Sequence, residues 1–471
     1  MNFKKLSAIA LVSAAIIAGA STLEASPRLS VYPNSITIEE DCSDAVISSA
    51  SETFASKNGK IEKSSLTLKK ISVEQALKAI KAFSGVEDLR LNDIPFTNLD
   101  FIKEMPNLKE LRISGDYKFD PIDISALSGN QKLEEIEFAS CKILDLAPIS
   151  TCTNIENFTS YSSLILTNTI SPLKDLANLK DLSLYGTKVD DFAHLAPLTK
   201  LKKINIYATK PIDGGTLDYN HLSEIKSLEE IKAGMTEMKS VAFLKDLPKF
   251  KSIEFMGEKI DDLEAFENCN NLEYIMYWAH HSFNLDGNKI GKAKSLKKLK
   301  FWSTDEVSNW EGLANLTNLE ELLIDGIKNW TTSGNTIDTS FLAPMAKLKN
   351  LELKNVLIKD LAKLPASVKT IVIDQDRIKP EDKNALDCST LACPLTEKLY
   401  INSVKLSNVN SIAKNFPKLK YLTLKKIDGI ENYDFLKELP DKCSVTLSKG
   451  SISEEMVKEL KETKKMNVGQ Y

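Results

Sequence analysis

The chain has 471 residues, 42% of them hydrophobic, and its 61 Lys and Arg against 65 Asp and Glu give a formal net charge of −4. Such a mildly acidic chain with interspersed charges is a poor match for a phosphate backbone, so no nucleic-acid partner is expected. With four His, and with no GxSxG turn, Gly-rich phosphate loop or Cys-His protease pattern, it reads as non-enzymatic and without a cofactor.

The N-terminus, MNFKKLSAIALVSAAIIAGAST, sets Lys4 and Lys5 ahead of an apolar run from Leu6 to Ala20 that ends in small residues. This is the pattern of a secretory signal peptide over 1–20. The run is short for a membrane span and no second run of spanning length follows, so the mature chain is expected to be exported, secreted or periplasmic, without a membrane span. Cleavage after Ala20 removes two Lys and no acid, taking the net charge from −4 to −6. Residues 21–62 read as an N-terminal cap segment, with a short helix after Ser43 that ends near Gly59. Leu66 and Leu68 then form a strand pair. SVEQALKAIKAF follows as a full helix, with Ser72 and Gln75 spaced as a capping box and Gly85 as its stop.

From residue 63 to 450 one pattern recurs. In the unit LANLKDLSLYGTKVDDFAHLAP, Leu176 to Pro197, Leu182 and Leu184 stand two apart, as on one face of a strand. Phe192, Leu195 and Leu198 stand three apart, as on a helical or 3₁₀ turn. One unit buries perhaps seven apolar side chains at ~1.5–3 kcal/mol each, against ~1–2 kcal/mol of backbone entropy for each of its roughly 22 residues. It must therefore stack on its neighbours. Units aligned on the two strand positions run from Leu66/Leu68 and Leu89/Leu91 to Leu422/Leu424 and Val445/Leu447, 17 strands in all, mostly 22 to 24 residues apart. Longer units carry inserted loops near Trp330 to Thr339 and Lys379 to Pro394. The tail, 451–471, reads as a C-terminal capping helix with Ser453 as its N-cap and Met456, Val457 and Leu460 on one face.

The stretches YGTKVDDFAHLAPLTKL, CKILDLAPI and TNTISPLKDLANL resemble the bacterial 22-residue leucine-rich repeat class typified by the internalins. The resemblance implies an α/β solenoid: a leucine-rich repeat horseshoe with a parallel concave β-sheet and a helical or 3₁₀ convex side, here with helical caps at both ends. Where that class has Asn after the strand, this chain has Cys141, Thr187, Thr209, Thr236, Thr304 and Val356. A Thr or Cys can still serve the buried turn backbone with a weaker hydrogen bond. The chain is expected to depart from the class in lacking a wall-sorting tail and a separate domain after the repeats.

The outward position just after each strand's last core residue is aromatic in five of the 17 repeats, where an aromatic content of 7% predicts about one. The five are Tyr161, Tyr185, Tyr207, Trp278 and Trp302. Strands ~4.8 Å apart would stack the three tyrosines into a ladder, with the tryptophans continuing it beyond Met256. Tyr274 and Met276 share the strand face of Trp278. The following residues are small (Ser162, Gly186, Ala208, Gly257, Ala279, Ser303), which would leave the rings accessible. An exposed aromatic stripe rimmed by charge suits a protein partner. Stacked rings also suit a sugar face, which makes a glycan or cell-wall carbohydrate the alternative, and neighbouring rings also stabilise one another. Trp310 falls at the inward position of Phe192 and is expected in the core.

Among polar candidates, His194 and His221 lie in turns, and the dipeptide His280-His281 is a poor metal site because adjacent residues point apart. Asp190-Asp191 and Asp261-Asp262 fit helix caps better than a catalytic pair. Of seven Cys, Cys152 and Cys269 share an inward position as buried thiols, and Cys388 with Cys393 is the disulfide candidate, closing an inserted loop.

Overall fold

An apolar residue at every second position makes a half-buried strand, and the repeat places one such strand every coil. The structure, a computed structural model, describes residues 28–471 except 33, 40–42, 58–63, 258, 279–283, 303–305, 327–335, 362–363 and 384. The stretch 1–20 read as a signal peptide, His280-His281, Thr304 and residues 327–335 of the expected inserted loop lie outside the described residues. Each of the 17 predicted core pairs marks a strand, with Leu184 and Ile206 one residue past the ends of theirs. The chain divides into two compact units, the first ending at Leu228 and the second beginning at Glu229.

In the first unit the strands Ser35–Glu39, Ser65–Lys69, Asp88–Asn92, Glu110–Ser114, Glu135–Ala139, Asn157–Tyr161, Asp181–Ser183 and Lys203–Asn205 pair in parallel and in register. Arg28–Val31 adds antiparallel to Ser35–Glu39 at the sheet's edge. These first two strands lie in the stretch read from sequence as a cap segment. Helix Asp44–Lys57 follows them and lies against helix Val73–Ala82, where the Ser51 hydroxyl reaches the Ala82 carbonyl at 2.8 Å. Ser72 caps the second helix through the Gln75 N–H at 3.3 Å, one half of the expected capping box, while the Gln75 Oε1 finds no partner among the described residues.

In the second unit the parallel sheet runs from Glu230–Gly234 through Ser252–Met256, Tyr274–Trp278, Lys298–Trp302, Glu321–Asp325 and Asn350–Lys354. It continues through Thr370–Asp374, Lys398–Asn402, Tyr421–Lys425, Ser444–Leu447 and Asn467–Gln470. The last strand follows helix Glu454–Lys464, whose N-cap is Ser453 as expected. The tail is therefore a helix followed by a strand, and the strand extends the sheet.

Opposite the sheet, most coils return through a 3₁₀ turn such as Phe192–Leu195 or Ala242–Asp246, because three-residue apolar spacing aligns side chains on a 3.0-residue helix. An Asp before the turn caps it repeatedly. The Asp191, Asp218, Asp338 and Asp387 carboxylates accept from the N–H two residues on, at 2.8 to 3.0 Å. The core fills the space between: Leu182, Leu184, Val189, Phe192, Leu195 and Leu198 are all at most 2% exposed.

Past several strands the Asn-like position does what the resemblance implied, while Val356 at the same position has no side-chain donor. Cys141 reaches the Ile113 carbonyl at 3.5 Å, Thr187 that of Ser160 at 3.0 Å and Thr209 that of Leu184 at 3.1 Å. Ser163 extends the series to the Phe138 carbonyl at 3.0 Å. Each such donor thus ties its coil to the one before.

Candidate functional site

Along each strand the residues flanking the LxL core point away from it. In the first unit this places Tyr161, Tyr185 and Tyr207 one above another. The Tyr161 and Tyr185 rings stack with centroids 4.4 Å apart at 8°, and Tyr185 and Tyr207 at 4.7 Å and 25°. The spacing is that of the strands beneath, so the predicted ladder is present. Each stacked pair contributes about 0.5–1.5 kcal/mol beyond its burial. Burial raises the Tyr185 phenol above its ordinary pKa, and its hydrogen bond with Tyr161 and the neighbouring Tyr161 and Tyr207 phenols add to that.

The residues after these strands share a left-handed backbone that the sequence reading missed. Ser162, Gly186, Ala208 and Gly257 all have positive φ, 48°, 64°, 53° and 73°. The turn lets the N–H of Ser162 reach the Tyr185 carbonyl at 2.6 Å and that of Gly186 reach Tyr207 at 2.8 Å. Gly257 repeats the bond to the Trp278 carbonyl at 2.7 Å. Gly meets this conformation without strain, whereas Ser162, Ala208 and, at the same position of other coils, Met235 and Lys426 adopt it at a cost.

In the second unit Met256, Trp278 and Trp302 occupy one register row. Trp278 and Trp302 meet edge to face, centroids 6.3 Å apart at 61°, and Trp302 is 42% exposed. Met235, whose N–H reaches the Met256 carbonyl at 3.1 Å, is 57% exposed. Met276 lies in the row beside this one and Tyr274 in the next, with Lys300 Nζ 5.8 Å over the Tyr274 ring. Burial, then Glu254 and Glu321, pushes the Tyr274 phenol up to about 12. The charges around the patch are largely paired: Lys298 with Glu321 at 3.1 Å, Lys232 with Glu254 at 3.2 Å and Lys354 with Glu352 at 2.6 Å.

Sequence reasoning followed the position just after each strand's last core residue and took the middle outward position only at Met276. Leu323, Val372 and Tyr400 occupy that row on the same sheet face, interrupted by Lys300 and Glu352, and Leu323 is only 7% exposed. Tyr421, on the neighbouring row, is 56% exposed. The signal was available as apolar residues between the two core positions of LLI, IVI and LYI.

The other candidates separate into supporting roles. Trp310 is half-buried rather than a core residue, edge-on to Phe301 and stacked on Phe341 at 5.8 Å. Asp191 caps its own turn, while Asp190 accepts the Ile170 N–H of the preceding coil at 3.0 Å. His194 meets Asp190 at 3.0 Å and His221 meets Asp191 at 2.7 Å. Asp262 likewise serves the preceding coil, through Val241 at 2.8 Å. No group of three or more His, Cys, Asp or Glu is placed to hold a metal ion among the described residues.

The expected Cys388–Cys393 disulfide is corrected: both are free thiols, each fully buried. Cys393 lies six residues before Leu399, as Cys152 lies six before Phe158 and Cys269 six before Ile275. It is thus the third member of the same inward column, and no loop closure is involved.

No protein-family model matches the chain, and no curated protein matches it. Solved structures do. An internalin from Listeria monocytogenes is 19% identical over 70% of this chain and 89% of its own, with a TM-score of 0.49. A chain of the Toll–Spatzle complex of Drosophila is 13% identical over 89% of this chain and 62% of its own, with a TM-score of 0.57. A chain of the TLR13–ssRNA13 complex is 16% identical over 82% of this chain and 60% of its own, at 0.52. The latter two establish the leucine-rich repeat fold, and at these identities the fold alone.

Proposed function

We propose that this leucine-rich repeat chain is an exported, non-enzymatic binding protein that holds a protein partner on the apolar sheet face of its second unit. The observation that carries the reading is the half-exposed Trp302 standing edge-on to Trp278, with the exposed Met235 and with Met256 and Met276 beside it. Aromatic anchors among adaptable Met side chains, within a rim of paired charges, are the make-up of a binding hot spot. The same fold receives a protein in the Toll–Spatzle complex. It receives RNA in the TLR13–ssRNA13 complex, for which an acidic chain is poorly suited. The charged and apolar N-terminus over 1–20 supports export.

The tyrosine ladder of the first unit supports a second contact surface. Its rings cover one another's faces, so it offers edges and hydroxyls more than a flat platform, and this disfavours a carbohydrate ligand there. Retention of a partner by the wild-type chain but not by a Trp278→Ala/Trp302→Ala variant, unaffected by free oligosaccharide, tests the reading against the carbohydrate alternative.

A further inference from the structure

Away from the aromatic face, the second unit has a cleft of about 520 Å³ beside the ends of strands Thr370–Asp374 and Tyr421–Lys425. The cleft is within the size range of small-molecule sites. Its charged wall is Arg377, Lys379, Lys383 and Lys426 against Asp376 and Asp428. Asp376 is already committed: one of its oxygens accepts from Lys426 Nζ at 2.7 Å and from the Ser403 hydroxyl at 2.9 Å. Arg377, Lys379 and Lys383 make no ion pair among the described residues. Three cations are left facing one carboxylate.

Hydroxyl donors complete the lining. The Ser448 oxygen accepts the Lys426 N–H at 2.7 Å, which leaves its own hydrogen to donate, and Ser451 and Tyr433 add two more hydroxyls. Ile378 and Ile427 supply an apolar part.

We infer that this cleft binds a small organic molecule carrying a phosphate or sulfate group, with Arg377 and Lys383 holding the anion. A guanidinium offers a planar pair of donors to two oxyanion oxygens and an ammonium a point charge. Lys383 is set for such a ligand. Burial holds it below its ordinary pKa and the like charge of Lys426 adds to that, while Asp376, Asp428 and Asp374 pull the other way. An anion in the cleft would remove that strain on its charged form.

The test is calorimetric titration of the full chain with phenyl phosphate, phenyl sulfate, inorganic phosphate and inorganic sulfate at constant ionic strength. A variant Arg377→Gln/Lys383→Gln and a control Lys297→Gln, at an exposed site that pairs with Glu273, are titrated beside it. The expected result is saturable binding of a phosphate or sulfate probe by wild type and control, weakened about tenfold or more in the double variant, as loss of a charge-assisted hydrogen bond requires. The preferred anion then identifies the ligand as a phosphate or a sulfate ester. No saturable binding of any probe, or equal binding by the double variant with an unchanged circular dichroism spectrum, overturns the inference.

Discussion

Thr187 gives its hydroxyl hydrogen to the carbonyl of Ser160, one coil earlier, at 3.0 Å, and its oxygen lies 2.8 Å from the Ser160 hydroxyl. A hydroxyl has one hydrogen, so Ser160 is the donor in the second bond. Both residues are buried, at 0% and 1% exposure. Thr187→Val keeps the shape and removes both bonds, leaving a buried hydroxyl and carbonyl unpaired. Urea denaturation should show a loss of about 1–3 kcal/mol; a variant as stable as wild type would contradict the role given to this bond.

Gly186, at φ 64°, sits where an added Cβ would lie 2.7 Å from the Ser162 hydroxyl oxygen. Gly186→Ala must therefore bear both a left-handed backbone and a contact that has to shift, at a combined cost of about 1–3 kcal/mol. A lowered thermal midpoint, with weakened tyrosine exciton signal in near-ultraviolet dichroism, is expected. An unchanged midpoint would show that the turn does not depend on glycine.

The strand cores were legible because Leu182/Leu184 and their counterparts repeat a two-residue spacing once per coil, and any slip would turn the core residues outward. The end strands were not. Leu29/Val31 and Ile36/Ile38 have the two-residue spacing but stand ahead of the repeat in the stretch read as a cap, and Arg28–Val31 pairs antiparallel. Asn467–Gln470 buries only Val468 and lacks the double apolar signature. At the site, the row after each strand was readable as a run of aromatics. Leu323 and Val372 were not recognised because an aliphatic residue between two core positions reads as core. Cys388 and Cys393 were misread because the loop length was weighed and the six-residue phase to Leu399 was not.

Asp190 and Asp191 stay ionised to lower pH than an ordinary aspartate. Burial pushes both up but is outweighed: at Asp190 by the Thr169 hydroxyl, the Ile170 and Asp191 N–H groups and His194, and at Asp191 by the Ala193 N–H, His221 and His194. A carboxylate depressed by folding contributes stability that is full above its unfolded pKa, near 3.8, and lost as the pH falls through the folded value. Wild type should therefore lose stability steeply below about pH 4. Asp190→Asn, less stable at neutral pH, should have a shallower acid limb; parallel limbs in wild type and variant would contradict this.

Burial pushes the Cys388 thiol up to about 12, with Asp387 adding to it, and the Cys393 thiol up to about 11. Thiolate is the reactive form. Native protein at pH 8 should leave both unalkylated by iodoacetamide while denatured protein labels both. A Cys388–Cys393 linked peptide in a non-reducing digest would restore the disulfide.

The central claim is that Trp278 and Trp302 hold a protein partner. The most direct measurement takes a protein retained by the wild-type chain, purifies it, and titrates it against wild type and against Trp278→Ala/Trp302→Ala of matched far-ultraviolet spectrum. Removal of two anchor residues should weaken binding by more than about tenfold, as loss of hot-spot side chains does, with no competition from free oligosaccharide. Equal affinity for the two chains would contradict the claim and leave the aromatic face a structural feature of the sheet.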